Sequence, residues 1–282
     1  MKAADCGTLF VVATPIGHLG DLSARAVEAL ARADVVAAED TRRTGKLLAQ
    51  LDLKRPLVSC HKFSEARVVG ELVERVLSGQ RVALVSDGGT PAVSDPGSRL
   101  VQAAHEAGCS VVAIPGPCAV AAALSVAGLP ADRYLFAGFL PPRRTTRRKA
   151  LAELARWDGT LVVFEAPHRL HGTLDDALEL LGNRTVVLCR ELTKLHEEVW
   201  RGSVSALRAR MQQRARVRGE IVLVFGPPET SVPAGDAEQL DALHRRFADA
   251  LEAEEGDEKR ALRRLARELG LARGELKRRL FG

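Results

Sequence analysis

Long hydrophobic runs are missing from this 282-residue chain, and no stretch approaches the roughly 20 consecutive apolar residues that a membrane-crossing helix needs. Near the N-terminus, TLFVVATPIG stays apolar for only about six residues, with no basic n-region and no long h-region before it. The expectation is a soluble, unprocessed, cytoplasmic protein. Metal-binding and disulfide patterns are missing as well. The five cysteines, Cys6, Cys60, Cys109, Cys118 and Cys189, are scattered without a CxxC or a His/Cys ligand spacing, which excludes a disulfide framework and a zinc site and leaves reduced thiols. Phosphate-binding signatures are absent too. ATPIGHLGD (13 to 21) places Pro15 and Ile16 where a dinucleotide fingerprint needs glycines, and SDGGTPAVSDPG (86 to 97) has no G-K-[ST]. Asp87 puts negative charge where a phosphate cradle wants positive. A triphosphate ligand is disfavoured.

What the chain does have is enough apolar material, 46%, for a substantial core. Net charge is only +5, unevenly spread. Residues 141 to 150, PPRRTTRRKA, carry five cations and no acid, 201 to 218 add six arginines, and 259 to 282 are basic again, whereas 236 to 258 are mostly acidic. Separated basic blocks suggest a polyanionic partner met by particular surfaces, although solvated arginine-rich helix faces give the same pattern.

Short β-branched runs alternate with helical segments. Strands are predicted at 8 to 13, 34 to 38, 57 to 60, 81 to 86 and 110 to 114, and helices at 21 to 33, 41 to 50, 64 to 79, 95 to 107 and 117 to 127. This is the rhythm of a parallel α/β domain, here 1 to 128, with continuously apolar strands covered on both faces. Ser64 is expected to cap the third helix and Gly79 to end it, and Asp95 followed by Pro96 is expected to open the fourth. A second α/β domain, 129 to 228, has strands at 134 to 139, 160 to 166, 185 to 190 and 220 to 226 and helices at about 145 to 156, 168 to 181 and 203 to 214. A linker and a helical, helix-turn-helix-like tail complete the chain from 229 to 282, with a turn at Gly270.

Open α/β sheets bind ligands at the carboxyl ends of their strands. Four such loops stand out: ATPIGHLGD, AAEDTRRT (37 to 44), SDGGTPAVSDPG and IPGPCA (114 to 119). They share tight turns, small side chains and nearby carboxylates, suited to a ligand with hydroxyls, an amino group and a positive centre.

Taken in order, TLFVVATPIGHLGDLSARA, DVVAAEDTRRT, VALVSDGGTPAVSDPG, VVAIPGPCAVAAAL, GFLPPR, VVFEAPHRL and RELTKLHEEVWRG resemble the tetrapyrrole-methylase superfamily, and within it the branch that modifies ribosomal RNA. The resemblance implies two α/β domains with S-adenosylmethionine in the cleft between them, and methyl transfer to the ribose 2′-hydroxyl of a cytidine in the decoding region of 16S rRNA. It implies cofactor contacts at Pro15, Ile16, Asp87, Gly88, Gly89, Thr90, Pro91, Val93, Gly116, Pro117, Cys118 and Ala119, and in the second domain at Phe164, Glu165, Ala166 and Glu220. It also implies a homodimer acting on the small ribosomal subunit. SCHKFSEA departs from the expected His-x-x-Asn-Glu pattern, with Ser64 in place of the asparagine.

A ribose hydroxyl is a poor nucleophile at neutral pH, so a base within hydrogen-bond reach would help. Candidates are Asp40, His61, Glu65, Glu191 and Lys194. Arg42, Arg143, Arg144, Arg147, Arg148, Lys149 and Arg169 are candidate RNA contacts. Two alternatives stay open: a methyltransferase of the same superfamily acting on a porphyrin-like ring, and a non-catalytic nucleic-acid-binding module built on the tail.

Overall fold

The computed structural model describes residues 7–61, 65–214, 216–228 and 234–281. Contacts divide the chain into a body ending at Pro228 and a C-terminal unit beginning at Glu229. In the body, β1 (Thr8–Val12), α1 (Ala24–Arg32), β2 (Val35–Ala38), α2 (Thr41–Gln50), β3 (Leu57–Ser59), α3 (Glu65–Leu77), β4 (Arg81–Val85), α4 (Ser98–Glu106) and β5 (Ser110–Ile114) form the first lobe. Its sheet has the order β3-β2-β4-β1-β5, parallel at every pairing. Side chains alternate faces along a strand, so Val35 and Ala37 of β2 join one core with Leu72 of α3 and Leu100 of α4. Val36 and Ala38 join the other with Leu30 of α1 and Leu48 of α2.

The second sheet is built from β6 (Tyr134–Phe139), β7 (Thr160–Glu165), β8 (Thr185–Arg190), β9 (Glu198–Ser203) and β10 (Ile221–Phe225), in the order β6-β7-β10-β8-β9. Only β6 and β7 pair in parallel; the other three pairings are antiparallel. Helices α6 (Arg144–Leu154), α7 (Leu170–Leu180) and α8 (Val204–Gln212) cover one face through Leu151, Leu174 and Leu207. The other face is covered by α5 (Ala119–Ala127), whose Val120, Ala123 and Ala127 pack on Val162, Val187 and Val224. Helix α5 follows directly from the first sheet yet lies on the second. That crossover explains why AVAAALSVA carries no charge, and it threads residues 115 to 118 between the lobes.

Two local readings need correction. Asp95 and Pro96 do not open α4. The helix starts at Ser98 behind Gly97, which has φ 122° and no capping side chain, a conformation open to glycine because it lacks Cβ. The cap comes from elsewhere: buried Glu65 of α3 accepts hydrogen bonds from the Gly97 and Arg99 amides at 3.1 and 3.0 Å. Strand β9 is absent from the predicted elements although VWRG falls within it. Ser64 lies outside the described residues, while Gly79 does take up a positive φ of 90° beyond the end of α3.

The C-terminal unit has three helices, α9 (Ala234–Ala253), α10 (Glu258–Leu269) and α11 (Arg273–Phe281). Asp257 caps α10 by accepting from the Arg260 amide, and Gly270 closes it at φ 66°. Leu262, Leu265, Ala266, Leu276 and Leu280 form its own small core, flanked by Leu243 and Phe247. Among the described residues no helix is long and apolar enough to cross a membrane.

Candidate active-site cleft

A parallel sheet brings the carboxyl ends of β1, β2, β4 and β5 to one edge, and the loops that follow them are laced together there. The Thr14 and Gly89 amides donate to each other's carbonyls, both at 2.9 Å. Thr14 Oγ1 donates to the Ser86 carbonyl and Thr90 Oγ1 to the Pro117 carbonyl. Gly89 sits at φ 95°, and a Cβ on Gly88 would lie 3.1 Å from the Pro15 carbonyl oxygen. The backbone at Gly89 favours glycine, and a side chain at Gly88 would crowd the Pro15 carbonyl. Beyond it, Ala92 and Ser94 hold φ values of 66° and 63°, sparsely populated conformations for residues with a Cβ.

The second sheet supplies the opposite wall. Because β10 runs antiparallel to β7 and β8, its amino end lies beside their carboxyl ends, so Gly219, Glu220, Ile221 and Val222 meet Glu165, Ala166 and Cys189 at the same edge. Between the two walls lies a cleft of about 660 Å³, within the usual range for small-molecule sites. Its apolar surface includes Ile16, Val93, Phe139, Phe164 and Leu192, and its acids include Glu39, Asp87, Asp95 and Glu220.

Asp87 is fixed from both sides. Its Oδ1 accepts from the Asp40 amide at 2.9 Å, and Arg43 Nη1 lies 3.5 Å from Oδ2. Burial raises the Glu39 carboxyl above its ordinary value, with the Asp87 charge adding to the rise. Burial, reinforced by the charges of Glu39, Asp87 and Glu220, pushes Asp95 up to about 6. This wall resists full ionisation until a cation faces it.

Among the sequence-predicted cofactor residues, Pro15, Ile16, Asp87, Gly88, Gly89, Thr90, Val93, Cys118, Ala119, Phe164, Glu165, Ala166 and Glu220 all border this cleft. Pro91, Gly116 and Pro117 do not: Pro91 is buried, a Cβ on Gly116 would lie 3.0 Å from Ala13 Cβ, and the Pro117 carbonyl is taken by Thr90. Glu165 contributes little charge, since its buried carboxylate accepts from the Ala166 amide and the Thr173 hydroxyl and pairs with Arg169. Sequence reading missed Gly17, Glu39, Arg43, Asp95, Phe139, Leu192 and Gly219 as lining residues. Glu39 was marked by its place in AAEDTRR at the end of β2, and Asp95 by the loop it shares with Asp87.

Of the five base candidates only Lys194 borders the cleft. Its ammonium donates to Glu191 Oε1 at 2.9 Å and to Glu220 Oε2 at 3.0 Å; burial works against its charge, but these two carboxylates outweigh it and raise its pKa. Lys194 is therefore held protonated and is a poor base. Glu191 is occupied by the Glu220 amide and Lys194, which hold its carboxyl below the ordinary value. Asp40 caps α2, and hydrogen bonds from Arg42 hold its carboxyl down to about 2. Glu65 caps α4, and the His61 carbonyl accepts from the Glu65 amide.

The basic block also needs sorting. Arg147 is not a phosphate contact, because its side chain is only 7% exposed and pairs at 2.7 Å with the fully buried Asp176. Arg144 and Arg148 lean on the same carboxylate, and Arg148 also pairs with Glu179. Arg169 is turned inward to the carbonyls of Leu140 and Pro141. Arg42 is largely exposed but paired with Asp40. Arg143 and Lys149 are exposed.

Comparison with known proteins fits this geometry. The tetrapyrrole (corrin/porphyrin) methylase family matches residues 8–208. A ribosomal RNA small subunit methyltransferase I from Halalkalibacterium halodurans is 46% identical over 220 residues, 78% of this chain and 76% of that protein. Its namesake in Synechocystis is 42% identical over 273 residues, 96% of each chain. Among solved structures, a cobalt precorrin-4 methyltransferase superimposes with a TM-score of 0.59 at 19% identity, over 80% of this chain and 97% of that one. Uroporphyrin-III-C-methyltransferase from Thermus thermophilus gives 0.54 at 23% identity, over 78% and 94%. With two α/β lobes, a cleft walled by their strand-end loops and a family match across most of its length, the chain belongs to the tetrapyrrole methylase family.

Proposed function

We propose that this protein is an S-adenosylmethionine-dependent methyltransferase that modifies the ribose 2′-hydroxyl of a cytidine in the decoding region of 16S rRNA. The observation that carries the cofactor half is the pairing, in one cleft, of glycine-made backbone at Gly88 and Gly89 with a wall of carboxylates and an apolar floor. Such a surface suits a ligand that is part nucleoside and part cationic amino acid. When bound, the cofactor supplies an electrophilic methyl group on a positively charged sulfur.

The chain's own residues do the rest. Backbone groups of the loops around Ile16, Thr90 and Ala119 orient the ligand; Phe164 and Ile221 give apolar surface for its base; Glu39, Asp87 and Asp95 balance positive charge. Alignment of donor and acceptor is worth roughly 7–11 kcal/mol in favourable cases, and the positioned ribose hydroxyl gives up its proton to water as its oxygen takes the methyl group from sulfur. Lys194, held between Glu191 and Glu220, is neutralised by them and fixes Glu220 in place on the cleft wall. The RNA half of the reading rests on relatives named for small-subunit ribosomal RNA that cover nearly the whole chain, and with it go a cytoplasmic site of action and a homodimeric enzyme.

The test is transfer of labelled methyl from S-adenosylmethionine to small ribosomal subunits lacking the modification, with the labelled nucleotide mapped. Label on a cytidine ribose of the decoding region is the expected result. Label on a base, or on a tetrapyrrole and not on RNA, overturns it.

A further inference from the structure

The C-terminal unit carries a row of cations that no acid among the described residues neutralises. Helix α10 has five, Lys259, Arg260, Arg263, Arg264 and Arg267. Two are paired: Arg260 lies 3.4 Å from Asp257, and Arg264 lies 3.1 Å from Glu268 and 3.6 Å from Glu254. Arg246 of α9 also reaches Glu268, at 3.6 Å. The other three, Lys259, Arg263 and Arg267, are each four residues apart, so they stand on one flank of the helix. All three are exposed, and none makes an ion pair among the described residues. Arg273 and Lys277 of α11 repeat the pattern, four apart and exposed. The buried side of α10 is elsewhere, at Ala261, Leu262, Leu265 and Ala266.

Stability does not account for this row. Like charges at i,i+4 disfavour a helix, and Lys259 sits in the first turn of α10, where the helix dipole favours an anion. Its composition also narrows the partner. Among the described residues the unit exposes no large hydrophobic side chain, so the row lacks the aromatic or aliphatic anchors of a protein interface and the apolar face of a membrane-surface helix. Point cations in a line, without anchors, match a regularly spaced polyanion.

We propose that Lys259, Arg263 and Arg267, continued by Arg273 and Lys277, form a docking face for the sugar–phosphate backbone of RNA. The choice of RNA rests on the proposed function; the unneutralised face does not. In this assignment the tail supplies sequence-independent affinity, and selection of the nucleotide belongs to the cleft.

The full-length protein tests it through the salt dependence of its affinity for an unmodified 16S rRNA transcript. Each lost phosphate contact removes about 0.7 to 0.9 from the slope of log K against log salt. Lys259→Gln/Arg263→Gln/Arg267→Gln is expected to shallow that slope by about 2 to 3, and the single variants Lys259→Gln and Arg263→Gln by about one contact each. The control, Arg246→Gln/Arg260→Gln/Arg264→Gln, removes the same net charge from paired positions and is expected to change the slope by less than half as much. Adenosylmethionine affinity should stay at the wild-type value in all of them. An unchanged slope in the row variants, or an equal loss in the control, overturns the proposal. Methyl mapping is scored separately: wild-type protein that binds RNA through this face yet labels no RNA would sink the proposed function and leave the face standing.

Discussion

At Asp95, three neighbouring carboxylates and burial act in the same direction, and the carboxyl titrates near 6 instead of its ordinary 3.8. Because the folded-state value is raised, its contribution to stability is present below about pH 4 and is lost as pH climbs through about 6. A bound cation reverses the preference by favouring the ionised form. Affinity for S-adenosylmethionine should therefore rise between pH 5 and pH 7, by about tenfold if only the ionised carboxyl binds, with proton release visible in calorimetric titrations. Asp95→Asn should flatten the profile. A flat profile in the wild type would remove Asp95 from cation recognition.

Glu65 behaves differently, although the sequence offered it as a base. It is a helix cap donated from a neighbouring helix, with one oxygen shared by the Gly97 and Arg99 amides. Glu65→Gln keeps an acceptor and should be mild, whereas Glu65→Ala should cost about 1–3 kcal/mol in urea unfolding by stranding buried donors. With the fold retained, cofactor affinity should change little in either. A selective loss of turnover in Glu65→Gln would restore a chemical role.

Helices α6 and α7 are joined by a single buried acid. Asp176, with no exposed surface, gathers Arg144, Arg147 and Arg148, and those guanidiniums outweigh burial to hold its carboxyl below the ordinary value. Removing one partner of a buried pair strands the other, so Asp176→Asn should destabilise the body by about 3–5 kcal/mol. Replacing Asp176 and Arg147 together by apolar residues of similar size should cost much less than the single change, and a double-mutant cycle in urea would show it. The five parallel strands and most of the body of their helices were legible in the sequence because the strands are short, mostly apolar runs and the helices periodic segments between them. So were the cleft loops, which combine glycine, proline and carboxylate at strand ends. Strand β9 was hard to see because EVWRGS is a charged sheet edge with only Val199 and Trp200 as large apolar side chains. Tertiary partners were invisible too: nothing in PPRRTTRRKA says that Arg147 is buried, since its partner Asp176 lies 29 residues away. The same holds for Gly97, whose helix is capped from α3.

For the molecule as a whole, the cleft draws on both sheets of the body, and helix α5 belongs by sequence to one and by packing to the other. A ligand seated there touches loops that follow β1 and β4 as well as the ends of β7 and β10, and it should hold them as one cooperative block. At 100 times its dissociation constant, such a ligand stabilises the folded body by about 2.7 kcal/mol, which for a unit of this size corresponds to roughly 5–10 °C in midpoint. The C-terminal unit has a separate core of Leu262, Leu265, Leu276 and Leu280. Hydrogen exchange with and without S-adenosylmethionine should therefore slow amides around Gly89, Ala119, Ala166 and Ile221 together and leave those of α10 at their ligand-free rates. Protection confined to one lobe would mean that the ligand does not bridge the cleft. Protection spreading into α10 would show that the tail is coupled to cofactor binding.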